Sequence, residues 1–402
     1  MGLVKSEWIE SQERGWSAPD DQFVCADCVE DEYLKKVISN NLEVTTCDYC
    51  EKESATENIA APVGEILEPI ANTLFYYYND PTNACVPRDS GDWAFDIDID
   101  TNEALLSLGL ECHDELFEVI SNAFFNDWWV PTADGHWASS HTSDILAYMW
   151  EMFVNEVKYK SRFFFSTISP DPYDPDGYSP SNTLTSIGVT VKELGLTTKV
   201  PAKTPLYRVR ERSAGATWPL DAENLGAPPK GSAQAGRMNP SGISYLYLGK
   251  EKQTALAEVL SKPPSIAGVG SYMTKQELRV LDLTDLPTYP SVFDEEKRHI
   301  SELLQFLNKF VREISKPVAK DGREHVEYVP SQIVCEYFAK VFRTEEDEPI
   351  DGIAYPSAIR PGGINIVIFP PESQDGFNAL VDLNSAEELT FHNWQDFHDA
   401  IK

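Results

Sequence analysis

The sequence predicts an α+β protein: a C-terminal domain built on a mixed β-sheet, preceded by a cysteine-knuckle segment and a helical segment. Three observations predict it. From residue 183 to 402 short β-like runs alternate with helical ones, and several β-like runs follow one another with no helix between them, which argues against a doubly wound parallel sheet. Residues 60–167 carry apolar side chains at helical spacing. Residues 20–54 hold two Cys-x-x-Cys pairs.

Length and charge bound what such a chain does. At 402 residues it has room for two or three domains. The formal charge of −32 opposes broad binding to nucleic acid, although a local basic pocket could still hold a small phosphorylated ligand. No apolar run reaches the roughly 18 residues of a membrane span, and the first residues lack the apolar core of a signal peptide. The seven cysteines are too sparse for a disulfide scaffold, and the expected compartment is the cytoplasm.

Taken in order, the knuckle segment spans residues 20–54. Cys25 and Cys28 in "CADC" are separated by 18 residues from Cys47 and Cys50 in "CDYC", the arrangement that presents four thiolates to a tetrahedral metal. All four ligands being cysteine, the expected ion is a structural Zn2+. The helical domain is expected over residues 55–168. Val63, Ile66, Leu67, Ile70 and Leu74 mark one helix, and Leu116, Val119 and Ile120 a second; a third starts at Ser143 or Asp144 and runs through "ILAYMWEMFVNEVKYKSRFFF". Residues 169–182, "SPDPYDPDGYSPSN", have the composition of a linker.

The domain from 183 to 402 reads as strands at "PLYRVR", "SYLYLG", "ELRVLDL", "GIAYP", "INIVIF" and "ALVDL", with helices at "TALAEVL", "EEKRHISELLQFLNKFVREI", "PSQIVCEYFAKVF" and "AEELTFHNWQDFHDAI". It has no dinucleotide fingerprint, phosphate-binding loop, His-Glu-x-x-His or Gly-x-Ser-x-Gly. What it offers is cations beside a carboxylate. Alternation in the first strand places Arg208 and Arg210 on one face and Tyr207 and Val209 on the other. Arg237 sits in a Gly/Asn/Pro-rich loop, where a guanidinium suits bidentate phosphate contact. Tyr245 and Tyr247 follow on the next strand, and Glu258 borders the apolar stripe of the next helix.

The runs "LYRVR", "GRMNPSGISYLYLG", "TALAEV", "YVPSQIVCEYF" and "GIAYPSAIRPGGINIVIF", in that order over about 200 residues, resemble the RES domain. "VCADCVED", "CDYC" and "WEMFVNEVKYKSRFFF" resemble the zinc-knuckle and HEPN-like domain that precedes some RES domains. No arginine stands four to six residues before a histidine, so the ribonuclease signature of many HEPN domains is absent. The resemblance implies an ADP-ribosyltransferase-like fold and an enzyme that degrades NAD+ by hydrolysis or phosphorolysis, with inorganic phosphate a co-substrate in the second case. It also implies a toxin or defence effector with an antitoxin or activating protein as partner. It places catalytic roles on Arg208, Glu258 and Ser331 and substrate contacts on Arg237, Tyr247, Tyr207 and Arg210. Ser331 is read as opening a helix after Pro330, where an anion would bind, with Ser357 a second candidate of that kind. Ala235 and Met238 depart from the Gly and Trp of compact members.

Two other readings stand beside this one: a transferase that modifies a macromolecule, and an inactive binding or sensor protein whose zinc-helical half recognises a partner. Domain order and the linker suggest that the N-terminal half restrains or targets the other. The oligomeric state is left open, a homo-oligomer included.

Overall fold

The computed structural model describes residues 3–89, 92–93, 97–133, 135–165, 179–212, 217–260, 262–316 and 322–402. They form two compact units, one of residues 1–145 with 288–303 and the other of 146–287 with 304–402. No helix among the described residues is long and apolar enough to cross a membrane.

The first unit is helical. Its helices are α1 (Leu3–Arg14), α2 (Glu32–Asn40), α3 (Val63–Tyr77), α4 (Thr101–Ser107), α5 (Asp114–Asn122) and the start of α6 (Thr142–Tyr159). Asp31 starts α2 by accepting from the backbone N–H groups of Tyr33 and Leu34, the bonds an N-cap supplies to donors that the helix leaves free. In α3 the predicted 3.6-residue period is the buried face: Ile66, Leu67, Ile70 and Leu74 are fully inside, with Leu34, Ile38, Leu116 and Ile120 in the same core. α6 begins one residue before the expected caps and ends at Tyr159, so Phe163–Phe165 lie beyond it. Of the expected linker, residues 169–178 lie outside the described residues, and Pro180 opens a helix, α7 (Pro180–Glu193).

The second unit is organised by an eight-stranded sheet, numbered here among its own strands: β1 (Thr197–Val200), β2 (Pro205–Arg212), β3 (Leu246–Gly249), β4 (Ser265–Thr274), β5 (Leu278–Asp282), β6 (Gly352–Pro356), β7 (Ile364–Ile368) and β8 (Val381–Phe391). Their spatial order is β8-β4-β2-β3-β7-β6-β5-β1. Neighbours are antiparallel except the parallel pair β5–β6, so the sheet is mixed, as expected for α+β. Its helices include the rest of α6, α7, α8 (Lys252–Val259), α9 (Arg298–Ser315), whose first residues belong to the other unit, α10 (Val329–Lys340) and α11 (Trp394–Ile401). One face buries Leu206, Leu246, Leu248, Ile366 and Ile368. The other packs Val209, Ala267 and Val269 against Ala255 and Leu256 of α8.

Two sequence expectations are corrected here. "AEELTF", read as the start of the last helix, is the end of β8, paired with β4 from Ser265↔Phe391 to Thr274↔Val381. Long-range pairing overrides the helix propensity of Ala-Glu-Glu-Leu. The helix starts after Asn393, which closes a capping box with Asp396. β4 itself had no assignment, because its glycines weaken a strand signal. Gly268 is needed there: a Cβ would stand 2.7 Å from the Trp218 ring.

Candidate active site

A cavity of about 300 Å3 in the second unit opens where β2 and β3 part. Among the described residues these strands share one residue pair, Tyr207 with Gly249, whereas β2 and β4 share eight. Beyond that pair the backbone is free to splay. Period two then decides what faces the gap. Tyr207 pairs with Gly249, Gly249 with Asn365, and Asn365 with Tyr355, so residues of β2, β3, β7 and β6 share a face and all line the cavity.

Arg208 has the opposite parity, yet it lines the same cavity because the strands have separated beside it. Its Nη1 donates to the Tyr247 carbonyl at 3.0 Å. Its Nε is buried with no partner among the described residues. Burial pushes its pKa down to about 10. An unsatisfied buried N–H costs about 1–3 kcal/mol, so an anion entering the cavity would relieve an existing cost. Arg210, by contrast, is exposed, donates to the Asn224 carbonyl at 2.7 Å and lies over Trp218; it is not brought to the cavity.

Arg237 reaches the cavity from its loop, and its guanidinium donates to the Ser315 carbonyl at the end of α9. Tyr247 builds that loop. Its hydroxyl accepts from the Met238 N–H at 3.0 Å and donates to Asn239 Oδ1 at 2.8 Å. The Asn239 amide in turn donates to the carbonyls of Gln234, Pro240 and Ile243. Gly236 fits because a Cβ there would stand 2.5 Å from Asn239 Oδ1 and 2.9 Å from the Tyr247 hydroxyl. Tyr247 thus offers the cavity its ring while its hydroxyl is engaged. Met238, where compact members carry Trp, is fully buried with its sulfur 3.2 Å from Cys335 Sγ.

Glu258, on α8, is exposed at the cavity. Its Oε1 accepts from Ser357 Oγ at 2.6 Å and from Asn365 Nδ2 at 2.8 Å. No partner of Oε2 is found among the described residues. Ser357 is held in turn by the N–H groups of Ile359 and Arg360, which its hydroxyl accepts. Tyr355 and Tyr328 complete the lining. Burial drives the Tyr355 phenol well above its ordinary pKa, with Tyr247 and Glu258 acting in the same direction, so it stays protonated.

Ser331 is placed differently from the sequence reading. α10 begins at Val329, and the Ser331 hydroxyl donates to the carbonyls of Arg237 at 2.6 Å and Tyr328 at 3.0 Å. That proton is committed to backbone oxygens rather than held out to an anion, and Ser331 does not line the cavity. Beside it Gln332 donates to the carbonyls of Gly236 and Asn239, so the first turn of α10 clamps the arginine loop. Sequence reasoning gave Asn239, Gln332, Tyr355 and Asn365 no role. For Asn365 a signal existed: an amide inside the apolar run "INIVIF".

The first unit holds a separate chemical cluster. Cys25 and Cys28 lie 3.7 Å apart at sulfur, Cys25 and Cys50 3.5 Å, and Cys28 and Cys47 3.6 Å. Thiolates about 2.3 Å from a shared tetrahedral centre stand about 3.8 Å apart, so the donor set fits one such ion. The Cys25 N–H donates to Cys47 Sγ at 3.3 Å, a bond that orients a ligand thiolate. These cysteines can hold a metal ion.

Comparison with known proteins gives two matches in order. Residues 40–171 match HEPN/RES N-terminal domain 1, and residues 205–392 match the RES domain. No curated protein matches. A chain of the M. tuberculosis MbcT–MbcA toxin–antitoxin complex aligns with 53% of this chain and 97% of its own length, at 13% identity and a TM-score of 0.27, a likeness too loose to build on. The two matches take in the second cysteine pair, α3 to α6, and all but the first strand of the large sheet, and they identify the chain as a HEPN/RES N-terminal domain followed by a RES domain.

Proposed function

We propose that the RES domain cleaves the nicotinamide–ribose bond of NAD+. The observation that carries this reading is the meeting, in one cavity, of a buried guanidinium at Arg208, whose Nε has no partner among the described residues, and a positioned carboxylate at Glu258. Arg208 and Arg237 neutralise the pyrophosphate. At about 300 Å3 the cavity is at the small end of ligand sites, which run about 300–1,000 Å3, so it takes the nicotinamide riboside end and leaves the adenosine outside. The rings of Tyr207, Tyr247 and Tyr355 flank the sugar and the pyridine.

The bond from ribose C1′ to the pyridine nitrogen breaks, and its electron pair leaves with neutral nicotinamide. No general acid is needed because the leaving group is already cationic. Positive charge develops at C1′, and Glu258 stabilises it and holds the ribose hydroxyls through Oε2. Water or phosphate then bonds to C1′ and gives up a proton. The same reading makes the chain a toxin or effector with an antitoxin or activating protein as partner, and makes the metal a structural Zn2+ held by Cys25, Cys28, Cys47 and Cys50.

The test is nicotinamide release from NAD+ by the purified full chain, with and without phosphate. Release in buffer alone identifies a hydrolase, and release that requires phosphate identifies a phosphorylase. No release in either condition, with or without candidate activating proteins, leaves the binding or sensor reading in its place. ADP-ribose appearing on a macromolecule instead indicates a transferase.

The geometry also separates the two serines. Ser357→Ala removes a hydrogen bond to a carboxylate, worth about 1.5–3 kcal/mol, so kcat should fall about 10- to 100-fold with little change in melting temperature. Ser331→Ala should lower the melting temperature and affect turnover less. The opposite pattern would return the catalytic role to Ser331.

A further inference from the structure

Two side chains of the cavity keep polar atoms that no step above uses. Tyr355 on β6 and Asn365 on β7 are paired in register and are 7% and 6% exposed. Both line the cavity. Asn365 donates its amide N–H to Glu258 Oε1 at 2.8 Å. A carboxylate only accepts, so that bond fixes which way the amide points: its nitrogen meets Glu258 and its oxygen is turned away from it. Among the described residues neither Asn365 Oδ1 nor the Tyr355 hydroxyl has a hydrogen-bond partner. Burial keeps the phenol protonated, so its hydroxyl can donate. Directly opposed Cα atoms of antiparallel strands stand about 4.5–5.5 Å apart. The pair therefore presents a donor and an acceptor side by side, both on buried residues, where an unpaired polar group is costly. A primary carboxamide, with its carbonyl oxygen and its NH2 on one carbon, complements such a pair.

The sheet register decides which end of the substrate meets it. One row crosses the sheet from Tyr207 on β2 through Gly249 on β3 and Asn365 on β7 to Tyr355 on β6. Arg208 stands at the β2 end, next to Tyr207. Glu258 is held from the middle of the row, by Asn365. Its helix α8 packs on Gly249, where a Cβ would stand 2.8 Å from the Ala255 nitrogen. Tyr355 is at the far end, three strand spacings or about 14 Å from β2. The riboside carries its phosphates on C5′ and its pyridine on C1′, on opposite sides of the sugar. Phosphate at Arg208 and sugar at Glu258 leave the pyridine at Tyr355. Arg237, the second cation of the cavity, makes phosphate the competing partner of that hydroxyl. We propose, on the reading that NAD+ is cleaved here, that Tyr355 and Asn365 form the subsite of the leaving nicotinamide. The Tyr355 hydroxyl donates to the carboxamide oxygen, and Asn365 Oδ1 accepts from the carboxamide N–H. The site then selects pyridinium ribosides that carry a carboxamide. It disfavours the nicotinate form, which has no N–H for Asn365 and brings a second carboxylate towards Glu258.

The experiment uses the full chain and measures, by calorimetry, the binding of nicotinamide, nicotinic acid and ADP-ribose, beside nicotinamide release from NAD+. Tyr355→Phe removes a hydroxyl that no other described side chain needs, so the melting temperature should hold. Nicotinamide should bind this variant about tenfold more weakly, the worth of one hydrogen bond with its partner left buried, and ADP-ribose should bind it as it binds the parent. The parent should take nicotinic acid at least about tenfold more weakly than nicotinamide. A variant that loses ADP-ribose and keeps nicotinamide puts the hydroxyl on phosphate or sugar and overturns the proposal. So does a variant that binds all three as the parent does, a parent that binds nicotinic acid as well as nicotinamide, or one that binds no nicotinamide. Binding of nicotinamide that weakens in Tyr355→Phe, with no release from NAD+ by the parent, would support the subsite and remove the cleavage reading alone.

Discussion

Glu258→Gln is expected to reduce nicotinamide release from NAD+ by about 10²–10³-fold, the loss seen when a group that stabilises developing transition-state charge is removed. The substitution is chosen for what it keeps. The amide oxygen still accepts from Ser357 and Asn365 in the place of Oε1, and the side chain is exposed, so the fold has little to lose. What disappears is the negative charge and the acceptor at the position of Oε2. The defect should therefore appear in kcat more than in KM, because the oxocarbenium charge exists only in the transition state. Arg208→Lys should show the complementary split. A lysine cannot reproduce the fork that bonds the Tyr247 carbonyl and still presents Nε to an anion, and KM should rise. Release by Glu258→Gln at the parent rate would remove this carboxylate from the mechanism and with it the observation that carries the functional reading.

Stripping the metal is expected to unfold the first unit. Cys25, Cys28 and Cys47 are buried members of its core, packed with α2, α3 and α5. Without an ion, a cluster of buried sulfurs about 3.6 Å apart either stays protonated or carries unpaired charge. Structural zinc contributes roughly 10 kcal/mol or more in small metal-dependent domains, comparable to the whole stability of an ordinary domain, about 5–15 kcal/mol. Elemental analysis should find one zinc per chain. A strong chelator, or Cys47→Ser, should abolish the cooperative melting of this unit. Because thiolate ligation competes with protons, zinc loss should also become easier as pH falls. A full-length protein without stoichiometric metal, or with a melt unmoved by chelation, would show that the sulfurs pack as thiols.

How much of this was legible depended on whether the signal was local. The cysteine spacing specifies four donors within two tight turns, and the turns close as the spacing requires. α3 follows its apolar period, since one face must be buried. Alternation in "LYRVR" sorted Tyr207 from Arg208 and Arg210, and the register of β2 agrees with that sorting. It said nothing of Arg208 entering the cavity and Arg210 leaving it. That difference arises from the separation of β2 from β3, strands whose bonded residues Arg208 and Tyr247 are 39 positions apart in the chain, and no periodicity reports it.

The two serines show the same limit. Each follows a proline at the edge of a predicted element, and nothing local distinguishes them. The fold brings Ser357 to Glu258, 99 positions away, and Ser331 to the Arg237 carbonyl, 94 positions away. Likewise "AEELTF" has a helix-forming composition and becomes a strand because β4 offers a ladder along its whole length. The sequence by itself determined the α+β class, the metal-type donor set, most of the helices and which residue types could serve the site. The tertiary structure decided which of those residues meet. Period and propensity act over a few residues, whereas a cavity is made by strands, loops and helices far apart in the chain, placed by burial and pairing.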